Sequence, residues 1–319
     1  MDDRRVLVAG ETLVDFLPER PGPLSEVSRF DRRPGGAPAN VAVALSRLGT
    51  TPLFWTRVGG DPFGGFLADT LDAEGIPRQF VERDDDARTT LAFVTHDEDA
   101  DRTFTFYRDD TADTRLEPGT VPDETVAAVD QVVCGGVTLA SGRSRAATRD
   151  LLDRAAAADA ETWFDPNYRP ELWPADDFAP VVGDVLDDVS VLKATEDELR
   201  ELGFEGESPR ALAAAATDRG PHTVLVTRGS EGALAHSTPD APWGSATVEH
   251  GGYPVDAVDA TGAGDAFFAG AITATLDGVE SVESVLAFAN AVAAVATTAA
   301  GAMAALPSRE AVVAFQDSA

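Results

Sequence analysis

Two rhythms of apolar and polar positions alternate along this chain. Short apolar runs at 5–9, 53–58, 131–135, 161–164, 189–193 and 223–227 have the length and branched side chains of buried strands. Between them, apolar residues recur at helical spacing near 40–48, 64–74, 144–158, 196–202, 209–217, 264–276 and 284–299. Strands that alternate with helices predict a mainly parallel sheet covered on both faces, a three-layer α/β/α domain. Residues 12–33 and 88–107 break the rhythm with short alternating runs, among them Leu91-Ala92-Phe93-Val94 and Thr103-Phe104-Thr105-Phe106-Tyr107. These runs predict a small β-sheet projecting from the main layer, with a polar turn from His96 to Asp101. Such a sheet serves as a lid that excludes water from a site, or as an ordinary surface hairpin. No repeat or low-complexity linker divides the chain, so residues 1–319 read as one domain with lid segments at about 12–33 and 88–107.

Composition narrows the function. Acidic residues number 55 against 25 basic ones, for a formal net charge of −30, and the acid is spread over the whole length. That field argues against nucleic acid or an anionic membrane surface as a partner. It fits a solvated acidic shell in a salty, halophilic cytoplasm, where salt screens self-repulsion. Cys134 is the only cysteine, which excludes an intrachain disulfide and a Cys-based zinc site. The N-terminus runs straight into a strand without the apolar region of a signal peptide, and the expected location is cytoplasmic. The alanine-rich stretch 287–300 holds Asn290, Thr297 and Thr298 and reads as a buried helix. Lys193 is the only lysine and is followed by Ala194, so no Walker loop is present. Phosphate, if handled, must then meet backbone amides, arginine and a metal ion.

Five segments carry candidate chemistry. Asp259-Ala260-Thr261-Gly262-Ala263-Gly264-Asp265 precedes a helical pattern. Glycines before a helix turn successive N–H groups toward one point, which makes an anion hole. A carboxylate at Asp265 would lie beside that hole, suited to take a proton from an attacking hydroxyl; Asp265 capping a helix is the simpler alternative. Gly35-Gly36-Ala37-Pro38-Ala39-Asn40 opens another helix. Its glycines admit a ligand close to the backbone, and Asn40 either caps the helix or offers a donor and an acceptor to a sugar hydroxyl. Asp15 follows the first strand, where open α/β sheets bind ligands. Asp165-Pro166-Asn167-Tyr168-Arg169 and Thr227-Arg228-Gly229-Ser230-Glu231-Gly232 also follow strands.

In this order the segments resemble the ribokinase-like, PfkB-type sugar kinases over nearly the whole chain. The glycine pair with Asn40 is similar to that family's N-terminal signature, and the segment ending at Asp265 to its C-terminal one. The resemblance implies a ribokinase-like fold and an ATP-dependent carbohydrate kinase. It implies that Asp265 is the catalytic base and that Gly262, Ala263 and Gly264 form the anion hole. Asp15, Gly36 and Asn40 would hold sugar hydroxyls, joined by Arg108 and Arg169. Thr195, Thr227, Gly229, Gly232 and Asn290 would line the nucleotide site. Many relatives carry Asn-x-x-Glu at the Mg²⁺-associated motif; here Thr195 replaces the Asn and Glu198 keeps the Glu, to act on Mg²⁺ through water. Asp259 and Thr261, with Gly301 opposite, match a monovalent-cation loop, so K⁺ joins ATP and Mg²⁺ as an expected cofactor.

The segment from Thr103 to Arg108, continuing to Asp110-Thr111-Ala112-Asp113, is similar to the fructokinase version of the family. A ketohexose, with fructose first, is the expected phosphoryl acceptor. A 2-keto-3-deoxygluconate kinase is the alternative, with Arg108 and Arg169 gripping a carboxylate. A non-catalytic sugar sensor is the alternative from another class. The apolar face of Phe93, Phe104 and Phe106 suits either a lid or a homodimer contact through the small sheet.

Overall fold

The computed structural model describes residues 5–20, 22–96, 102–174 and 176–318; the turn expected after His96 lies outside the described residues. Its strands are β1 (Val6–Ala9), β2 (Leu13–Pro18), β3 (Phe30–Gly35), β4 (Leu53–Gly59), β5 (Val81–Asp84), β6 (Leu91–His96), β7 (Arg102–Tyr107), β8 (Gln131–Gly135), β9 (Glu161–Asp165), β10 (Val191–Thr195), β11 (Thr223–Thr227), β12 (Ala233–Ser237) and β13 (Ala246–His250). Helices are α1 (Ala37–Arg47), α2 (Pro62–Ala73), α3 (Asp123–Val126), α4 (Ser144–Ala157), α5 (Phe178–Gly183), α6 (Glu196–Glu201), α7 (Pro209–Thr217), α8 (Ala263–Leu276), α9 (Val282–Thr297) and α10 (Arg309–Gln316).

The large sheet runs β13-β12-β11-β10-β9-β8-β1-β4-β5. It is parallel from β5 to β11 and antiparallel at the β11–β12–β13 edge. Side chains alternate across it, as strand geometry requires. Val6 and Val8 join α1, α8 and α9 in one apolar layer. Leu7 and Ala9 join α4 and α7 in the other. Trp163 and Phe164 divide the same way, and Trp163 meets Phe268 of α8 with ring centroids 5.8 Å apart. The second sheet runs β3-β2-β6-β7 and rises directly from the end of β1. It is the small sheet expected from segments 12–33 and 88–107.

Helices α3, α5 and α10 go beyond the sequence expectation, and three further features depart from it. β5 is Val-Glu-Arg-Asp, too polar to register as a strand. β12 and β13 form an edge hairpin of Ala-Leu-Ala-His-Ser and Ala-Thr-Val-Glu-His, whose small and polar residues carry a weak strand signal. Helix α1 begins at Ala37, three residues before the position expected, with Gly36 as its N-cap. Pro38 falls in its first turn, where a missing N–H costs nothing because that donor has no intrahelical acceptor.

Strand order fixes where a site can form. β1 lies between β8 on one side and β4 on the other. Chain connections leave β1 in opposite directions there, so a crevice opens at the carboxyl ends of the strands. Glu11 follows β1, and Asp165 and Thr195 end β9 and β10.

Candidate functional site

The start of α8 leaves backbone donors open where the anion hole is expected. Gly262, at φ 78°, caps it in the left-handed region, and a Cβ there would lie 3.0 Å from Ala302. The first helical bond runs from Ala266 N–H to the Gly262 carbonyl at 2.8 Å. Ala263 N–H turns back to the Ala260 carbonyl at 3.2 Å. Among the described residues no acceptor meets the N–H of Gly262, Gly264 or Asp265. Helix N-termini left open in this way attract anions. The free donors thus include Asp265 itself, while that of Ala263 is already engaged.

Asp265 is 8% exposed and accepts a hydrogen bond on Oδ2 from Asn40 Nδ2 at 2.8 Å. Burial pushes its carboxyl up to about 6; the Asn40 bond opposes the rise, Asp165 adds to it, and the Lys193 and Arg169 charges oppose it. Asn40 lies inside the first turns of α1 and does not cap it, which corrects the capping alternative. Its Oδ1 is buried and meets no protein donor among the described residues. A buried acceptor in that state awaits a ligand or water.

Asp15, Asn40, Arg169 and Asp265 share one cavity of about 90 Å³ with Glu11, Asn167, Phe104 and Phe106. It adjoins a second of about 280 Å³ lined by Asp15, Arg33, Asp259, Thr261 and Gly301. Asp15 reaches the cavity because Gly35 carries no side chain: a Cβ there would lie 2.1 Å from Asp15 Oδ2. Gly36, at φ 103°, packs so closely that a Cβ would lie 2.6 Å from the Glu11 carbonyl. Burial pushes the Asp15 carboxyl up to about 7, against the Arg169 charge and with help from Asp265. Arg169 donates to the Tyr168 carbonyl at 2.9 Å, and its guanidinium lies 5.7 Å from the Phe104 ring centroid. The small sheet therefore reaches this cavity through Phe104.

Arg108 is close enough to Glu11 of this cavity for its charge to lower the Glu11 carboxyl against the larger effect of burial. Its Nε donates to Asp113 Oδ2 at 2.7 Å, and both side chains are almost fully buried. Thr111 also bonds Asp113, at 2.8 Å. Arg108 lines a separate groove of about 930 Å³ with Arg88, Phe93 and Tyr107, a groove that none of Asp15, Asn40 and Asp265 lines. The Arg108 Nε is thus engaged by Asp113, while its Nη2 is buried and meets no protein partner among the described residues.

The other expected residues occupy the ends of β10 and β11, the loops flanking α8, and α9. Thr195 caps α6 and forms a capping box with Glu198. Glu198 accepts from Thr195 N–H at 2.8 Å and from Tyr168 N–H at 2.9 Å. Glu196 instead pairs with Arg200 near the surface, so Glu198 is the carboxylate turned inward. Asp259 bridges two loops, accepting from Thr261 N–H and from Gly301 N–H at 2.9 Å each. Thr227 ends β11, and Gly229 and Gly232 have positive φ in the turn that follows. Gly232 is also required by packing, since a Cβ would lie 2.0 Å from the His250 carbonyl. Asn290 is buried in α9 and donates to the Leu286 carbonyl at 2.8 Å.

Sequence reasoning missed Glu11, Asp113 and the role of Lys193. Lys193 is 4% exposed and donates to Asp165 Oδ2 at 2.8 Å. The single lysine, expected to play no part, lies beside the start of α8: a Cβ on Gly264 would be 3.2 Å from its Nζ. Glu11 is buried, its carboxyl pushed up to about 7 by burial, and its Oε1 accepts from Ala37 N–H at 3.3 Å. An acidic residue inside the apolar run Val6–Val14 was the available signal.

The sequence matches the pfkB family carbohydrate kinase description over residues 3–309. It is 36% identical over 316 residues to a probable fructokinase-2 of Arabidopsis thaliana, covering 96% of this chain and 94% of that protein. The fold superposes on the fructokinase with bound ATP from Xylella fastidiosa with a TM-score of 0.87 at 30% identity, covering 99% of each chain. A fructokinase double mutant from Vibrio cholerae in fructose, ADP and potassium ion bound form gives a TM-score of 0.84 at 31% identity, covering 98% of each chain. The chain belongs to the pfkB family of carbohydrate kinases and is an ATP-dependent sugar kinase.

Proposed function

We propose that this kinase transfers the γ-phosphoryl group of ATP to a hydroxyl of a neutral ketohexose, fructose, with Asp265 as the base. The observation that carries the choice of sugar is the lining of the cavity itself. It offers three carboxyl groups, Glu11, Asp15 and Asp265, against one guanidinium, Arg169, while Arg108 outside that lining is bonded to Asp113. Carboxylates accept from hydroxyls and repel an acid group. That balance favours a polyhydroxyl substrate over a sugar acid, and the fructokinase names of the relatives support it.

The chemistry follows from the layout. Asp15 and the unpartnered Asn40 Oδ1 accept from sugar hydroxyls. The Asn40 bond to Oδ2 fixes the Asp265 carboxylate, which takes the proton of the attacking hydroxyl. Free N–H groups at the start of α8 stabilise the charge that develops on the transferred phosphoryl. Phe104 and Phe106 keep water from competing as acceptor.

Mg²⁺ arrives with ATP, and Glu198 is the residue suited to accept from its water ligands, being buried and anionic at the edge of the site. Bound there, the ion neutralises phosphate charge. Asp259, Thr261 and Gly301, already joined by hydrogen bonds, suit a K⁺ loop, a reading supported by the potassium-bound relative. Tyr107, 62% exposed on the small sheet beside Phe93, is where we place a homodimer contact.

The test compares kcat/KM for fructose and 2-keto-3-deoxygluconate. Fructose should be preferred by at least about tenfold, the worth of about 1.4 kcal/mol. Preference for the sugar acid would overturn the assignment. Arg169→Ala separates the two further, since an acidic substrate would lose the guanidinium that lines the cavity.

A further inference from the structure

Lys193 is the third residue of β10, and its buried ammonium lies between Asp165 and Gly264. One N–H bonds Asp165 Oδ2, whose partner oxygen Oδ1 accepts from Asn167 N–H at 3.0 Å. That bond links the lysine to the Asp165–Arg169 segment, which carries the guanidinium of the sugar cavity. On its other side lies Gly264: a Cβ there would meet Lys193 Nζ at 3.2 Å. The absent side chain lets the ammonium approach the backbone whose N–H groups are open.

The charges around it are Asp165, Glu198 and Asp265. Burial works against the ammonium, yet Asp165 and Glu198 outweigh that effect and hold its pKa above the usual lysine value. Asp265 in turn feels Asp165, Lys193 and Arg169, and Asp15 also faces it. Without the lysine, three carboxylates would stand behind a hole that must receive phosphate. Uncompensated negative charge there would repel the transferring group and favour the protonated form of the base. Arg169 lies on the sugar side, so Lys193 is the cation on the phosphate side of Asp265 among these charges.

We propose that Lys193 is a positioning residue for phosphoryl transfer, a buried ammonium that ties the Asp165–Arg169 segment to the start of α8 and holds positive charge behind the anion hole. The proposal rests on the reading of Asp265 as the base. It also explains why Gly264 is glycine: a side chain would displace the charge from the amides.

The experiment must separate this role from simple neutralisation of Asp165. Lys193→Met alone leaves a buried carboxylate unpaired and risks unfolding. The double variant Asp165→Asn/Lys193→Met removes both charges together. It should fold, keep its KM for fructose, and lose about tenfold to a hundredfold in kcat. The acid limb of its kcat/KM profile should not rise, because Asp265 loses the Asp165 carboxylate together with the Lys193 cation and the two act in opposite senses on it. A double variant with wild-type kcat would overturn the proposal.

Lys193→Arg and Lys193→Gln carry the same test without touching Asp165. The Arg variant should keep the acid limb and the Gln variant should raise it; identical profiles contradict the role. Asp265→Asn, run alongside, distinguishes the two levels. If it keeps turnover, the base assignment fails. If it is inactive while the lysine variants behave as wild type, only the lysine proposal fails.

Discussion

At the scale of single residues, the site concentrates negative charge where water is scarce. Glu11 and Asp15 are pushed to about 7 and Asp265 to about 6, chiefly by burial. Two consequences follow. As a base Asp265 must be ionised, so kcat/KM for the sugar should fall as pH drops through about 6. A rate that stays level down to pH 5 would exclude this carboxylate as the titrating base. The second consequence concerns stability. A carboxyl whose folded pKa exceeds its unfolded value binds protons better in the native state, so it disfavours the fold at high pH. That penalty is relieved as pH falls through about 7 toward the unfolded value near 4. Asp15→Asn should therefore raise the melting temperature at pH 8, with a smaller gain at pH 5, measured by calorimetry without ligand. An equal gain at both values would mean that Asp15 is not titrating between them.

At the scale of elements, glycines at the starts of α1 and α8 decide what can approach. Gly36 combines a positive φ with a backbone carbonyl 2.6 Å from where a Cβ would sit. Gly36→Ala should move the start of α1, and with it Asn40, away from Asp265. Sugar KM should rise by about tenfold or more, since a displacement of about 1 Å costs up to 10². An unchanged KM would show that the loop yields elsewhere. These glycine–asparagine and glycine–aspartate segments were legible in the sequence because turn chemistry is local. So were the parallel strands, whose apolar runs are long and branched. The edge hairpin β12–β13 and strand β5 were not, since alanine and charged residues become strand there only through pairing with β11 and β4. Arg108 and Lys193 were illegible for a related reason. Their roles depend on Asp113 and Asp165, and only the folded chain shows which cation each carboxylate meets.

At the scale of the whole molecule, the net charge of −30 dominates. Among the described residues many ion pairs are exposed Arg–Asp or Arg–Glu contacts, such as Arg78–Asp69 and Arg143–Glu117. Exposed pairs contribute about 0–1 kcal/mol each, so screening them loses little. Screening the surplus acid gains more, because repulsion acts between many unpaired carboxylates. Raising KCl from about 0.1 M to about 1 M shortens the Debye length from about 10 Å to about 3 Å. The melting temperature should rise across that range; a fall would mean that attractive surface pairs outweigh the net charge. Among the described residues no helix is long and apolar enough to cross a membrane.

The central claim is that Asp265, oriented by Asn40 at an open helix N-terminus, drives phosphoryl transfer from ATP to a sugar hydroxyl. ATP consumption at high KCl with Mg²⁺ tests it most directly. Wild type and Asp265→Asn would be compared with fructose, 2-keto-3-deoxygluconate, ribose and adenosine. Fructose-dependent ADP release by the wild type, lost by at least about 10²-fold in the folded variant, is the predicted result. Near-normal turnover by Asp265→Asn, or no ATP consumption with fructose by a folded wild type, would contradict the account.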